Sequence, residues 1–179
     1  VTRFARIVFS AFLLALAWGS AAVAATDGPA GPEEWHRSAQ GMQAQLHLTP
    51  KPEEFVRAWR GGDDYRGLLL EPPRSVEPGG HVATILLLSG CHPGPEGCNV
   101  LVDYQLVGPN GARIDGTRNQ RAWQGAARPG RVQLSEAMVR FTVPPKAPPG
   151  EYRVIATVRE PSSGIVLELR RALRVGAHR

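Results

Sequence analysis

The sequence predicts an all-β protein, an antiparallel two-sheet sandwich over residues 65–176 that follows a short helical leader. Three observations carry this expectation. From Tyr65 onward, short apolar runs recur between Pro/Gly clusters, and nearly all have period two. The alternation is one-sided, as in sheets that pack one face and wet the other. No helical crossover separates the runs, and parallel strands would need one.

The chain begins with an expected export signal, residues 1–25. Arg3 and Arg6 precede an apolar run from Ile7 to Trp18 broken only by Ser10, and small residues follow in GSAAVAA. Ala22 with Ala24, or Val23 with Ala25, fits the cleavage rule, so the mature chain would start at Ala25 or Thr26. The run is shorter than the ~20 residues that span a bilayer. No cysteine follows it to carry a lipid anchor. Val1 reads as an alternative start codon translated literally, and 19 arginines against two lysines fit a GC-rich bacterial genome. The expectation is a periplasmic or secreted protein of a Gram-negative bacterium, without stable membrane insertion after cleavage.

Removing 25 of 179 residues leaves 154, with 19 basic against 16 acidic side chains, a net charge of +3. One domain of this size buries roughly 68–70% of its unfolded surface. The longest basic run is Arg170-Arg171, and no basic stretch interleaves with aromatics, so nucleic acid is not expected as a partner.

Residues 26–64 form the leader. After a flexible TDGPAGPEE, two segments, PEEWHR (32–37) and PEEFVR (52–57), place proline and two glutamates where a helix start favours them. Between them, MQAQLHLTP alternates Ala44, Leu46 and Leu48 against Gln43, Gln45 and His47, which fits a strand.

The strands of the sandwich follow. HVATILLLS (81–89) is almost continuously apolar, as a central strand covered on both faces would be. NVLVDYQLV (99–107) points Val100, Val102, Tyr104 and Leu106 one way and Asp103 and Gln105 the other. GPNGA (108–112) is a turn. AMVRFTV (137–143) offers Ala137, Val139, Phe141 and Val143 to the core, and EYRVIATVRE (151–160) offers Tyr152, Val154, Ala156 and Val158. After PSSG, the last strand (165–175) offers Ile165, Leu167, Leu169, Leu173 and Val175, with Arg171 sharing their parity. Tyr152, just past a Pro/Gly turn, sits where sandwich folds place a corner tyrosine bonded back to the backbone.

The order SGC, GC, VDYQLVGPNG, AWQG, VQL, PPGEYRVIATVRE and GIVLEL resembles a group of small secreted proteobacterial proteins with immunoglobulin-like sandwiches and no assigned function. PPGEYRV also resembles strand starts in macroglobulin-type and other bacterial immunoglobulin-like modules. The resemblance spans residues 65–176. It implies an immunoglobulin-like fold and an envelope location, and it brings no catalytic residue with it.

The segment GCHPGPEGC (90–98) admits three chemistries. Zinc needs four ligands in a tetrahedron, and adjacent Cys91 and His92 seldom face one ion together. A redox pair favours Cys-x-x-Cys at a helix start. Two cysteines in an exported chain favour a Cys91–Cys98 disulfide, which would contribute about 2.5 kcal/mol by loop closure. It is expected to rigidify a hairpin end and leave His92, Pro93, Pro95 and Glu96 as a candidate binding loop. A second candidate is Trp123 with Arg121 and Arg128, since Trp and Arg are enriched at recognition hot spots. The competing reading is that Trp123 covers an open edge of the core.

No Gly-x-Ser-x-Gly, Ser-x-x-Lys, His-Glu-x-x-His, phosphate loop or dinucleotide fingerprint is present. Catalytic residues, metal and cofactors are therefore expected to be none. The acidic pairs Glu33-Glu34, Glu53-Glu54 and Asp63-Asp64 keep a carboxylate-based envelope enzyme, or a carbohydrate-processing accessory, as an alternative. The leading expectation is a non-catalytic binding module whose partner is another envelope protein or envelope component. Two further alternatives are an immunity-type inhibitor of a secreted toxin and a structural protein that self-associates through strand edges.

Overall fold

The computed structural model describes residues 34–62, 75–114 and 116–176. The export segment 1–25, leader residues 26–33 and the Asp63-Asp64 pair lie outside the described residues. The described elements are β1 (His36–Ala39), β2 (Met42–Thr49), α1 (Pro52–Arg60), β3 (His81–Ser89), β4 (Cys98–Val107), β5 (Arg113–Ile114), β6 (Gln120–Gly125), β7 (Gln133–Leu134), β8 (Arg140–Thr142), β9 (Gly150–Glu160) and β10 (Ile165–Val175).

These strands make two antiparallel sheets. The first runs β1-β2-β3-β7 with β8 also on β3, and the second runs β10-β9-β4-β5 with β6 also on β4. Period-two alternation turns one face of each sheet inward. Leu46, Leu86 and Leu88 of the first sheet meet Val102, Leu106, Val154 and Leu169 of the second in one core. Each such side chain, fully buried, contributes about 1.5–3 kcal/mol. The inward sets expected for β2, β4, β9 and β10 are the buried sets.

Tyr104 is a large polar side chain fully buried in the core. Its hydroxyl donates to the Ala137 carbonyl at 3.2 Å, and burial pushes the phenol well above its ordinary value. The buried Thr84 hydroxyl beside it accepts from the Val139 amide at 3.0 Å, so both hydroxyls are paired.

β3 is buried on both faces because α1 covers its outer side, where Phe55 packs on Ile85 and Leu87. α1 begins where PEEFVR predicts, with Pro52 in the first turn beside Glu53 and Glu54, and Arg57 and Arg60 in the last turn.

In the matching PEEWHR segment the described residues, 34–37, are not helical. His36–Ala39 is strand β1, paired with β2. Gln40 (φ 49) and Gly41 (φ 88) are both left-handed, the two-residue turn that matches strand twist. With so few residues before that turn, closing a hairpin onto β2 satisfies more backbone groups than nucleating a helix.

The described part of the leader therefore holds two strands and one helix, and it is not a separate piece. β2 pairs with β3 from Gln43↔Ser89 to Thr49↔Ala83, so the sandwich uses residues from 34 onward. The segment between β3 and β4 also differs from expectation. The two strands belong to different sheets, so the Cys91–Cys98 loop is a crossover between sheets and not a hairpin end.

Both open sides of the sandwich are bonded across. Glu34 and Arg170 exchange backbone hydrogen bonds at 3.1 and 2.9 Å, and the Glu136 amide donates to the Ala122 carbonyl at 3.0 Å. Tyr152 bonds back four residues, its hydroxyl donating to the Pro148 carbonyl at 3.0 Å.

Candidate functional site

Four chain segments converge at one end of the sandwich: the β1–β2 turn, the β3–β4 crossover, the end of β6 and the β9–β10 turn. A Cβ on Gly90 would lie 2.1 Å from the Gly41 carbonyl oxygen, and one on Gly97 would lie 2.3 Å from that of Gly125. Glycine is what allows these backbones to touch.

Within the crossover, the Cys91–Cys98 disulfide holds Cα atoms 5.9 Å apart, in the usual range for such a bridge. Their sulfurs are consumed by the bridge and are not available as metal thiolates. Gly94 and Gly97 exchange backbone hydrogen bonds at 2.9 and 3.0 Å, folding the loop on itself.

Sequence reasoning missed the residue that anchors this loop, Glu160. The side chain is fully buried at the last position of β9. It accepts from the His92 amide at 2.7 Å, from His92 Nδ1 at 2.9 Å and from the Ser163 hydroxyl. Ser162 Oγ adds a bond to the His92 carbonyl at 2.9 Å. The signal was present in the parity: Glu160 extends the inward series Tyr152, Val154, Ala156 and Val158.

His92 is thus half-buried and fixed, while Pro93, Pro95 and Glu96 are exposed on an immobilised backbone. Histidine, glutamate and two serines share this corner, yet neither serine hydroxyl bonds the imidazole. Ser163 is spent on Glu160 and Ser162 on a carbonyl, so the nucleophile–base contact that serine catalysis requires is not built.

The second candidate is divided by the fold. Trp123 is only 4% exposed and belongs to the core, so it is not a surface anchor. The register of β6 on β4 passes from Val100↔Trp123 to Leu101↔Arg121 and skips Ala122. This bulge turns both Ala122 and Trp123 inward. Arg121 and Arg128 remain exposed.

Arg159 makes a bidentate pair with Asp103 at 2.6 and 2.9 Å and also reaches Asn119 at 2.7 Å. The Arg159 bonds hold the Asp103 carboxyl below its ordinary range. This pair occupies the half-exposed outer face of the second sheet.

Arg171, whose parity points inward, lies where β10 meets β1 and β2. Its guanidinium is 5.9 Å from the Trp35 ring centroid, and the Trp35 and His47 rings meet at a tilt with centroids 5.5 Å apart. Burial first, and then the Arg171 charge, pushes His47 down to about 4 from 6.5. The folded state therefore binds fewer protons than the unfolded chain between those values. Stability is full above pH 6.5 and is lost as pH falls toward 4. Because His47 keeps some solvent contact, the expected loss from pH 7 to pH 5 is about 1 kcal/mol. Urea denaturation at both pH values checks this; His47→Gln should remove the loss, and an unchanged slope would discard it.

Among the described residues no helix is long and apolar enough to cross a membrane. No protein-family model and no curated protein sequence matches the chain. Among solved structures it is similar to the C-terminal domain of Wzt, at 14% identity, covering 83% of this chain and 81% of that one, with a TM-score of 0.48. It is also similar to a Niemann-Pick type C2 protein from Japanese carpenter ant, at 8% identity, covering 83% and 98%, with a TM-score of 0.41. A family 123 glycoside hydrolase from Clostridium perfringens is similar at 9% identity, covering 75% of this chain and 28% of that one, with a TM-score of 0.39. At these identities and scores the likenesses carry no functional argument.

Proposed function

We propose that this protein is a non-catalytic recognition module of the Gram-negative envelope, periplasmic or secreted. In this reading an immunoglobulin-like sandwich presents its disulfide-held end to a protein partner. One observation carries the reading: Pro93, Pro95 and Glu96 are exposed on a loop tied by the disulfide, by the Gly94–Gly97 bonds and by Glu160. A loop ordered in advance avoids much of the ordering cost of binding. The disulfide favours an oxidising compartment. The Tyr152–Pro148 bond is the corner device that immunoglobulin-like domains use, which supports that finer fold assignment.

The rival readings have less support. Three well-placed carboxylates are already engaged, Glu53 by Arg140, Asp103 by Arg159 and Glu160 by His92. That disfavours an enzyme built on dispersed acids. Backbone bonds across both sides of the sandwich disfavour self-association through strand edges.

The test is capture of envelope proteins on the immobilised, oxidised chain. A Pro93→Ala/Pro95→Ala/Glu96→Arg variant should lower capture of any specific partner at least tenfold, which corresponds to about 1.4 kcal/mol. Arg57→Gln, on the far side of the first sheet, should leave it unchanged. Equal capture by wild type and loop variant would refute the assignment of this end.

A further inference from the structure

The outer face of the first sheet carries a second feature, unrelated to the disulfide-held end. α1 leaves a pocket of about 370 Å³ lined by Pro52, Glu53, Val56, Arg57, Arg60 and Met138. Ligand pockets span about 300–1,000 Å³, so this volume suits a small molecule and not a polypeptide. Arg140, at its rim, pairs with Ala83 near the start of β3, whereas Cys91 follows the end of that strand.

The helix register explains the pocket. Phe55 and Trp59 pack against each other over Ile85 and Leu87. Pro52, Val56 and Arg60 lie four residues apart, so they form a neighbouring stripe that faces Met138. Met138 is 36% exposed, one of few large apolar side chains so open among the described residues. Methionine is unbranched and adapts to a variable apolar guest.

Among the described residues, the charges on this wall are unbalanced. Glu53 is neutralised by Arg140 at 2.5 Å. Arg57 and Arg60 have no acidic partner among the described residues. Their place in the last turn of α1 suits the helix dipole. The dipole does not account for the open apolar groove they border.

We infer that this pocket binds a small free organic anion with an apolar body, of the alkyl carboxylate class. Pro52, Val56 and Met138 hold the alkyl portion, and Arg57 and Arg60 take the carboxylate, for which the guanidinium fork is the matched donor.

Calorimetric titration of the oxidised chain with octanoate tests this, with octanol, octylammonium and vesicles of anionic phospholipid as the other arms. Saturable octanoate binding with Kd below about 1 mM is expected. Octanol should bind at least tenfold more weakly, and octylammonium should not bind. Arg57→Gln/Arg60→Gln should weaken octanoate at least tenfold while lowering the melting temperature by no more than about 4 °C, and the loop variant described above should bind octanoate as wild type does. The inference fails if octanoate does not saturate in that range, if octanol matches it, if the arginine variant binds equally, or if only vesicles bind.

Discussion

Trp123→Ala is expected to destabilise the fold by about 3–5 kcal/mol, the range for truncating a buried aromatic. Trp123 is 4% exposed and lies in the main core, opposite Val100 across the β4–β6 pair. Removing the indole empties the bulged end of β6, and the surrounding strands can close only part of that space. Guanidinium denaturation should report a lower midpoint with an unchanged slope, because the same surface is exposed on unfolding. If Trp123 were a recognition anchor, the variant would keep its stability and lose its partner. A loss below about 1 kcal/mol would contradict the buried assignment.

Glu160→Ala carries the next largest effect, a loss of about 2–3 kcal/mol. A hydrogen bond to a carboxylate contributes about 1.5–3 kcal/mol; the His92 ring is 44% exposed and can regain water, so the loss stays near the value of one such bond. The His92 amide and the Ser163 hydroxyl would lose their acceptor, and stranded donors add to the loss. Glu160→Gln keeps the shape and one carbonyl oxygen and should lose about half as much. Hydrogen exchange gives the second readout: the His92 amide should exchange much faster in the alanine variant while the centre of β9 stays protected. Unchanged protection at His92 would mean that the disulfide alone orders the loop.

Both residues show how far the chain could be read in advance. The strands β2, β3, β4, β9 and β10 were legible because each carries four or more alternating or continuous apolar positions between turns. α1 was legible from Pro52, Glu53 and Glu54. The identical start at Pro32 misled, because a helix-start signal describes only the first turn and is silent on whether helical residues follow. Gln40-Gly41 held the contrary information, a hairpin turn written without the usual asparagine or aspartate. Trp123 was ambiguous for a related reason: a one-residue bulge changes parity, and parity is all that a short strand offers.

At the candidate site, the Cys91–Cys98 pairing and the exposure of Pro93, Pro95 and Glu96 were readable from residue type and spacing. Glu160 was half-readable, since its parity points inward while its charge argues outward. Burial becomes tolerable only when His92, 68 positions earlier, brings two donors to it.

By itself, then, the sequence determined the β character, the inward faces of the long strands, the helix at Pro52 and the disulfide. Each follows from periodicity or chemistry within a few neighbouring residues. The tertiary structure alone decided that β1 and β2 join the first sheet, that β3 and β4 lie in different sheets, and that His92 meets Glu160. It also decided that α1 leaves a pocket beside Met138. These are contacts between residues far apart in the chain, whose energies depend on which strands become neighbours, and local pattern does not encode that choice.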